Sequence, residues 1–188
     1  YHIVSLTHAG EKEMESWNHI NRSPLPITVI PCCADTTLFD RQKVRAESLQ
    51  NAREKLGIKP DEIVLTYLGS IGTWYLLDEM LAFFSVYLEK FPTAKFLFIT
   101  QDKSGEIHSK ARTAGIPTDR ILIVSSERAS VPIYVLLGDY SIFFIKPSFS
   151  KMSSSPTKQG ELMALGIPVI CNSGVGDTDM IVRKYDSG

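Results

Sequence analysis

Residues 153–171 read SSSPTKQGELMALGIPVIC, and the order of signals in this stretch decides the fold. Ser155 suits a helix N-cap and Pro156 the first helical position, so a helix is expected over Thr157–Leu165. Gly166 stops it, and Ile167-Pro168 leads into a short apolar run, Pro168–Cys171, with the composition of a strand. The same alternation recurs upstream. Strands are expected at Ile63–Leu68, Lys95–Thr100, Ile121–Val124 and Tyr140–Ile145, with helices near Tyr75–Lys90, Gly105–Ala114 and Val131–Leu137 between them. Phe91-Pro92 and Gly115-Ile116-Pro117 supply the other helix stops. Strand and helix taking turns in this way predict an α/β fold with a doubly wound, Rossmann-like parallel sheet.

The first 45 residues follow a different pattern. A strand (Ile3–Leu6), a polar helix near Glu11–His19, a loop with Pro24 and Pro26 and a strand (Ile27–Ile30) closed by Pro31 fit the end of an earlier domain plus a linker. The expected division is therefore 1–45 and 46–188, with Arg41–Leu56 a charged surface helix ended by Gly57. The chain opens on Tyr1 rather than Met and reads as a segment of something longer. Between Tyr75 and Leu88 apolar residues occupy most of the helix circumference, which fits either a helix buried between sheet and neighbours or one with a face turned to a further domain.

Composition narrows the function. Of 188 residues, 20 are Lys or Arg and 21 Asp or Glu, and 44% are hydrophobic, the balance of a soluble globular protein. A net charge of -1 gives no global argument for nucleic acid or anionic lipid, so any anion site must be local. The longest apolar stretch, Val131–Ile145, is interrupted by Gly138, Asp139 and Ser141, so no transmembrane segment is expected. Cys32, Cys33 and Cys171 are too few and too oddly spaced for a disulfide framework and point to a reducing compartment. His2, His8, His19 and His108 are scattered, and no metal site is expected.

In an open α/β sheet ligands bind beyond the carboxyl ends of the strands, and two of the loops there carry chemistry. Gly69-Ser70-Ile71-Gly72-Thr73 is either a plain strand-to-helix turn or a turn whose backbone amides meet a ligand. With no third glycine it fails as a dinucleotide fingerprint, even though Asp102 follows the next strand where a dehydrogenase would place its ribose acid. The second loop is Ser153-Ser154-Ser155-Pro156-Thr157, which sets Lys158 in the first turn of its helix. A cation there opposes the helix dipole, whereas the free amides beside it suit an anion, so the two together form a candidate phosphate site. Glu161, one turn on, offers two acceptor oxygens to vicinal hydroxyls, or else simply pairs with Lys158 on the surface.

At these residues the sequence resembles the carboxyl-terminal, nucleotide-sugar-binding domain of GT-B fold glycosyltransferases of family 4, the group 1 glycosyltransferases. Glu161 to Ile170 matches the family segment E-A-M-A-x-G-x-P-V-I. Val29-Ile30-Pro31 with Asp35 and Phe39 is similar to the V-I-P-N-G-V-D-x-x-x-F linker between its domains, with Cys32-Cys33 in place of Asn-Gly. Leu68 to Gly72 looks like the loop that opens the donor domain. The resemblance implies one half of a GT-B fold and a retaining glycosyltransferase that moves a sugar from a UDP- or GDP-linked donor to an acceptor, without cofactor or metal. It assigns Glu161 to the donor ribose. The first glutamate of the family's paired motif falls at Ser153, and the usual arginine after the first-strand glycine is Ser70.

Lys158 then becomes the catalytic candidate, as the cation for the diphosphate. Gly69, Gly72, Thr73, Ser153, Ser154, Ser155, Thr157, Lys158 and Glu161 form the donor site, and the loops after Thr100 and Val124, including Ser125–Arg128, receive the base. Gly174, Gly176 and Asp177 belong to a glycine-rich loop near the sugar, although Asp177 or Asp179 is equally suited to cap the helix that follows. A glycan or lipid-linked acceptor is expected to bind a further, amino-terminal domain, so that these residues alone bind nucleotide without turnover. Bacterial surface polysaccharide synthesis at the cytoplasmic side of the inner membrane is the expected setting. Two alternatives remain at this point, a non-catalytic nucleotide-sugar-binding or interaction domain and a nucleotide-sugar 2-epimerase of the same fold.

Overall fold

The computed structural model describes residues 1–17 and 26–188. Its main sheet has five strands, β3 (Val64–Leu68), β4 (Lys95–Ile99), β5 (Ile121–Val124), β6 (Tyr140–Phe143) and β7 (Val169–Cys171), all parallel in the order β5-β4-β3-β6-β7. β3 lies at the centre. The chain runs outward through β4 to β5, then returns across the sheet to β6 on the other side of β3, which makes the carboxyl ends of β3 and β6 the topological switch point. The central strands carry few polar residues because helices cover both faces: every residue of β4 is buried, as are the first four of β3.

The helices that cover the sheet are α3 (Leu77–Lys90), α4 (Ser104–Thr113), α5 (Val131–Val135), α6 (Thr157–Ala164) and α7 (Thr178–Tyr185). Gly115 and Gly166 end α4 and α6 at φ of 73° and 68°, the left-handed conformation the sequence demanded of them. α3 buries Leu77, Met80, Leu81 and Phe84 against the sheet and leaves Val86 exposed. It begins two residues later than expected, so Tyr75 stays in the preceding loop, where it bridges to Ile145 beyond the end of β6.

The first segment forms a separate two-stranded sheet. β1 (Ile3–Ser5) pairs in parallel with β2 (Ile27–Val29), and α1 (His8–Ser16) stands between them in sequence. α1 starts earlier than the expected Glu11 because Thr7 caps it, its hydroxyl accepting from the Gly10 amide at 2.9 Å. The expected end of this helix at His19 and the loop at Pro24 lie outside the described residues. The expected helix over Arg41–Leu56 divides in two: a short turn at Arg41–Lys43 capped by Asp40, then α2 (Ala46–Lys55), separated by extended backbone at Val44 and Arg45.

Candidate functional site

Lys158 is the second residue of α6, yet its side chain turns inward and the residue is only 9% exposed. Its ammonium stands 3.7 Å from the ring centre of Tyr75, 4.7 Å from that of Tyr67 and 5.9 Å from that of Phe143, with no hydrogen-bond partner among the described residues. Three aromatic faces attract the charge, but none replaces the water it has lost. Burial therefore lowers the Lys158 pKa to about 7, against a smaller upward pull from Glu161. Above the ammonium lies Gly69, at a φ of 127°. A Cβ there would stand 2.7 Å from Nζ, so glycine serves both the backbone conformation and the close approach of the cation.

The turn after β3 is held from two sides. The Tyr67 hydroxyl donates to the Ser70 carbonyl, and the Ile71 amide donates to Asp102 Oδ2 at 2.5 Å. Asp102 thus spends a carboxylate oxygen on closing the glycine turn, and its own amide is held by Thr100 Oγ1 at 3.1 Å. A cavity of about 230 Å³ opens over this turn, lined by Gly69, Ser70, Thr100, Gln101 and Ser126 among others. Gly72 and Thr73 are exposed beside the turn, and Gly72, unlike Gly69, has ordinary backbone and open space around it.

Glu161 does not form the simple surface pair with Lys158. It is 3% exposed, and its carboxylate is ion-paired to Arg128, which reaches it from the segment that follows β5. The Arg128 guanidinium in turn lies 4.5 Å from the ring centre of Phe39, a core residue of the linker segment. The sequence named Arg128 only as the end of a base-binding stretch; 33 residues separate it from Glu161, and no local spacing announces such a pair.

The serines behave differently from expectation. Pro156, not Ser155, holds the N-cap position of α6 and makes no side-chain cap bond, while Ser155 Oγ accepts from the Cys32 amide at 3.0 Å. The reason is competition: a linker amide takes the hydroxyl, and the amino end of α6 has no side-chain cap. Ser153 and Thr157 are exposed, and Ser154 is half-buried.

In the glycine-rich loop, Gly174 and Gly176 have φ of 80° and 46°. Asp177 occupies the N-cap position of α7 but makes no side-chain bond there. Its two oxygens accept instead from the amides of His8 and Ala9, at 2.6 and 3.2 Å, so it caps α1 from across the fold. The carboxylate proposed for either the sugar or α7 is committed to neither.

Solved structures share this architecture. The chain aligns over 96% of its length with a glycosyltransferase from Rickettsia africae (TM-score 0.73, 13% identity), covering 46% of that chain. It aligns equally far with WaaG, a glycosyltransferase involved in lipopolysaccharide biosynthesis (TM-score 0.70, 18% identity), again covering 46%. The fold is that of one half of a GT-B structure. The chain spans less than half the length of these two proteins. The C-terminal domain of a group 1 family glycosyl transferase from Francisella tularensis matches over 81% of this chain and 85% of its own length (TM-score 0.55, 18% identity). No protein-family model and no curated protein matches the sequence. Within this GT-B half the described residues bring no three His, Cys, Asp or Glu side chains together as a metal site, and none of the described helices is long and apolar enough to cross a membrane.

Proposed function

We propose that this chain is the donor-binding half of a retaining glycosyltransferase, with the diphosphate of a UDP- or GDP-linked sugar seated between the Gly69 turn and the amino end of α6. One observation carries the reading: a buried ammonium with no hydrogen-bond partner among the described residues, Lys158, lies directly under a glycine turn at the switch point of the sheet. A cation in that state lacks a counter-charge, and an anion entering over Gly69 supplies one. In transfer, the glycosidic C–O bond breaks and its electron pair passes to the β-phosphate oxygen. The acceptor oxygen bonds to the anomeric carbon as its hydroxyl proton passes to the departing phosphate oxygen, and Lys158 neutralises the charge that grows on the leaving diphosphate. The acceptor, a glycan or lipid-linked sugar in surface polysaccharide synthesis, binds a further domain on the cytoplasmic side of the membrane. Glu161, held in place by Arg128, receives the ribose hydroxyls.

Thermal unfolding of the chain with UDP, GDP, ADP and NAD, beside Lys158→Ala and Glu161→Ala, tests this reading. A nucleotide at a hundred times its dissociation constant stabilises by ~2.7 kcal/mol, a rise of roughly 5 to 10 °C. A rise with UDP or GDP that both substitutions reduce supports the donor site; no response to any nucleotide from the folded protein overturns it. Ser153, standing where the resemblance places the first motif glutamate, favours a second reading as a non-catalytic nucleotide-sugar-binding domain. Donor binding with no sugar transfer by the longest natural form of the chain would select it.

A further inference from the structure

A second cavity, of about 310 Å³, is lined by the loop that precedes α3 and the loop that follows β6. Its walls include Trp74, Tyr75, Lys151, Ser153 and Ser154. The Tyr75 ring is shared: it walls this cavity and also meets the Lys158 ammonium at 3.7 Å, so the cavity adjoins the proposed diphosphate seat. Among the described residues, Lys151 is the one charged residue in its lining, and no carboxylate lines it. The Lys151 ammonium rests 4.2 Å from the ring centre of Trp74, a half-exposed indole, and forms no ion pair among the described residues. Both backbones are fixed. The Lys151 carbonyl accepts from the amides of Ser154 at 3.1 Å and Gly176 at 2.8 Å, and the Trp74 carbonyl accepts from the Lys146 amide at 2.8 Å.

We propose that this cavity receives an acidic sugar, its ring against Trp74 and Tyr75 and its anionic substituent on Lys151. An aromatic wall suits the apolar face of a pyranose, and the serines add hydroxyl contacts. The charge decides the class: a neutral hexose leaves an unpaired cation facing it, whereas a hexuronate carboxylate or a sugar phosphate satisfies that cation. The inference rests on the donor-site reading, because the transferred sugar reaches this cavity only if the diphosphate lies beside Tyr75.

Calorimetric titration of the 188-residue chain with UDP, UDP-glucose and UDP-glucuronate, and with GDP, GDP-mannose and GDP-mannuronate, separates the two claims. The uronate donor of the accepted nucleotide is expected to bind about tenfold more tightly than its neutral counterpart. Lys151→Gln should erase that preference and Lys151→Arg keep it. Hexose 6-phosphate titrated into nucleotide-saturated protein tests the other source of the anion: binding that Lys151→Gln abolishes places the acidic sugar on the acceptor. If a nucleotide binds but neither anionic sugar is preferred, or if the preference survives Lys151→Gln, the acidic-sugar proposal falls and the donor site stands. If no nucleotide binds, both fall.

Discussion

Two lysines are buried to nearly the same depth at opposite ends of one sheet, Lys95 at the amino end of β4 (8% exposed) and Lys158 beneath the carboxyl ends (9% exposed). Their surroundings differ in kind. Lys95 donates to the Asp119 carbonyl at 2.8 Å and lies 3.6 Å from the buried Glu62 carboxylate and 3.8 Å from that of Asp119, while Arg120 shares both acids. Lys158 has three aromatic rings and, among the described residues, no acceptor. A buried cation enclosed by acids completes a network that serves the folded state; one left without them costs stability and keeps its charge available for something that arrives. The sheet thus has a satisfied end and an unsatisfied end, and the proposed donor site lies at the second.

The strongest attack on that contrast is Glu62→Ala, which leaves both Lys95 and Arg120 short of an acid. It is expected to cost about 3 kcal/mol, a Tm lower by roughly 6 to 12 °C by calorimetry. An unchanged Tm would mean that the satisfied end contributes nothing. Lys158→Met should act in the opposite direction, raising Tm by roughly 4 to 8 °C, about 2 kcal/mol, while abolishing the response to nucleotide. A fall in Tm would break the comparison, because it would make Lys158 a structural cation like Lys95.

Protonation sharpens the contrast further. The Lys158 pKa in the fold, about 7, lies below the 10.5 of an ordinary lysine, so between these values the unfolded chain holds the extra proton. The destabilisation from this group is full below pH 7 and is relieved as pH rises toward 10.5. Ligand binding has the opposite slope, since a diphosphate favours the charged form and its binding takes up a proton above pH 7. Affinity should fall by up to about tenfold per pH unit above 7, and the binding enthalpy should vary with buffer ionisation heat. Lys158→Arg, charged throughout, should flatten any binding that remains. The smallest effect belongs to Asp119→Asn: its side chain is 65% exposed, and its loss from the Lys95 network should change stability by less than about 0.5 kcal/mol in urea unfolding.

The strands were legible because a parallel sheet covered on both faces needs apolar runs, and the helix ends because Gly115 and Gly166 must take a left-handed conformation. Lys158 was legible as a candidate from its place in the first turn of a helix. Its aromatic surroundings were not: Tyr67 belongs to β3, Tyr75 to a loop and Phe143 to β6, and in sequence each reads as ordinary core. The same holds for Arg128 and Glu161, brought together only by the return of the chain across the sheet. Ser155 shows the complementary failure. The local rule made it a cap, and a partner 123 residues away, the Cys32 amide, claimed its hydroxyl. Periodicity encodes what a residue does within its own element, while the partners of a polar side chain are set by which elements meet.

The cap that Asp177 places on α1 joins a carboxylate to amides 169 and 168 residues away. The amide protons of His8 and Ala9 consequently exchange with solvent at a rate set by the opening of that contact, and their protection factors read its free energy directly. Two backbone resonances near the start of the chain therefore serve as a clock for separation of the β1–β2 unit from the glycine-rich loop, measurable without a label in the crevice.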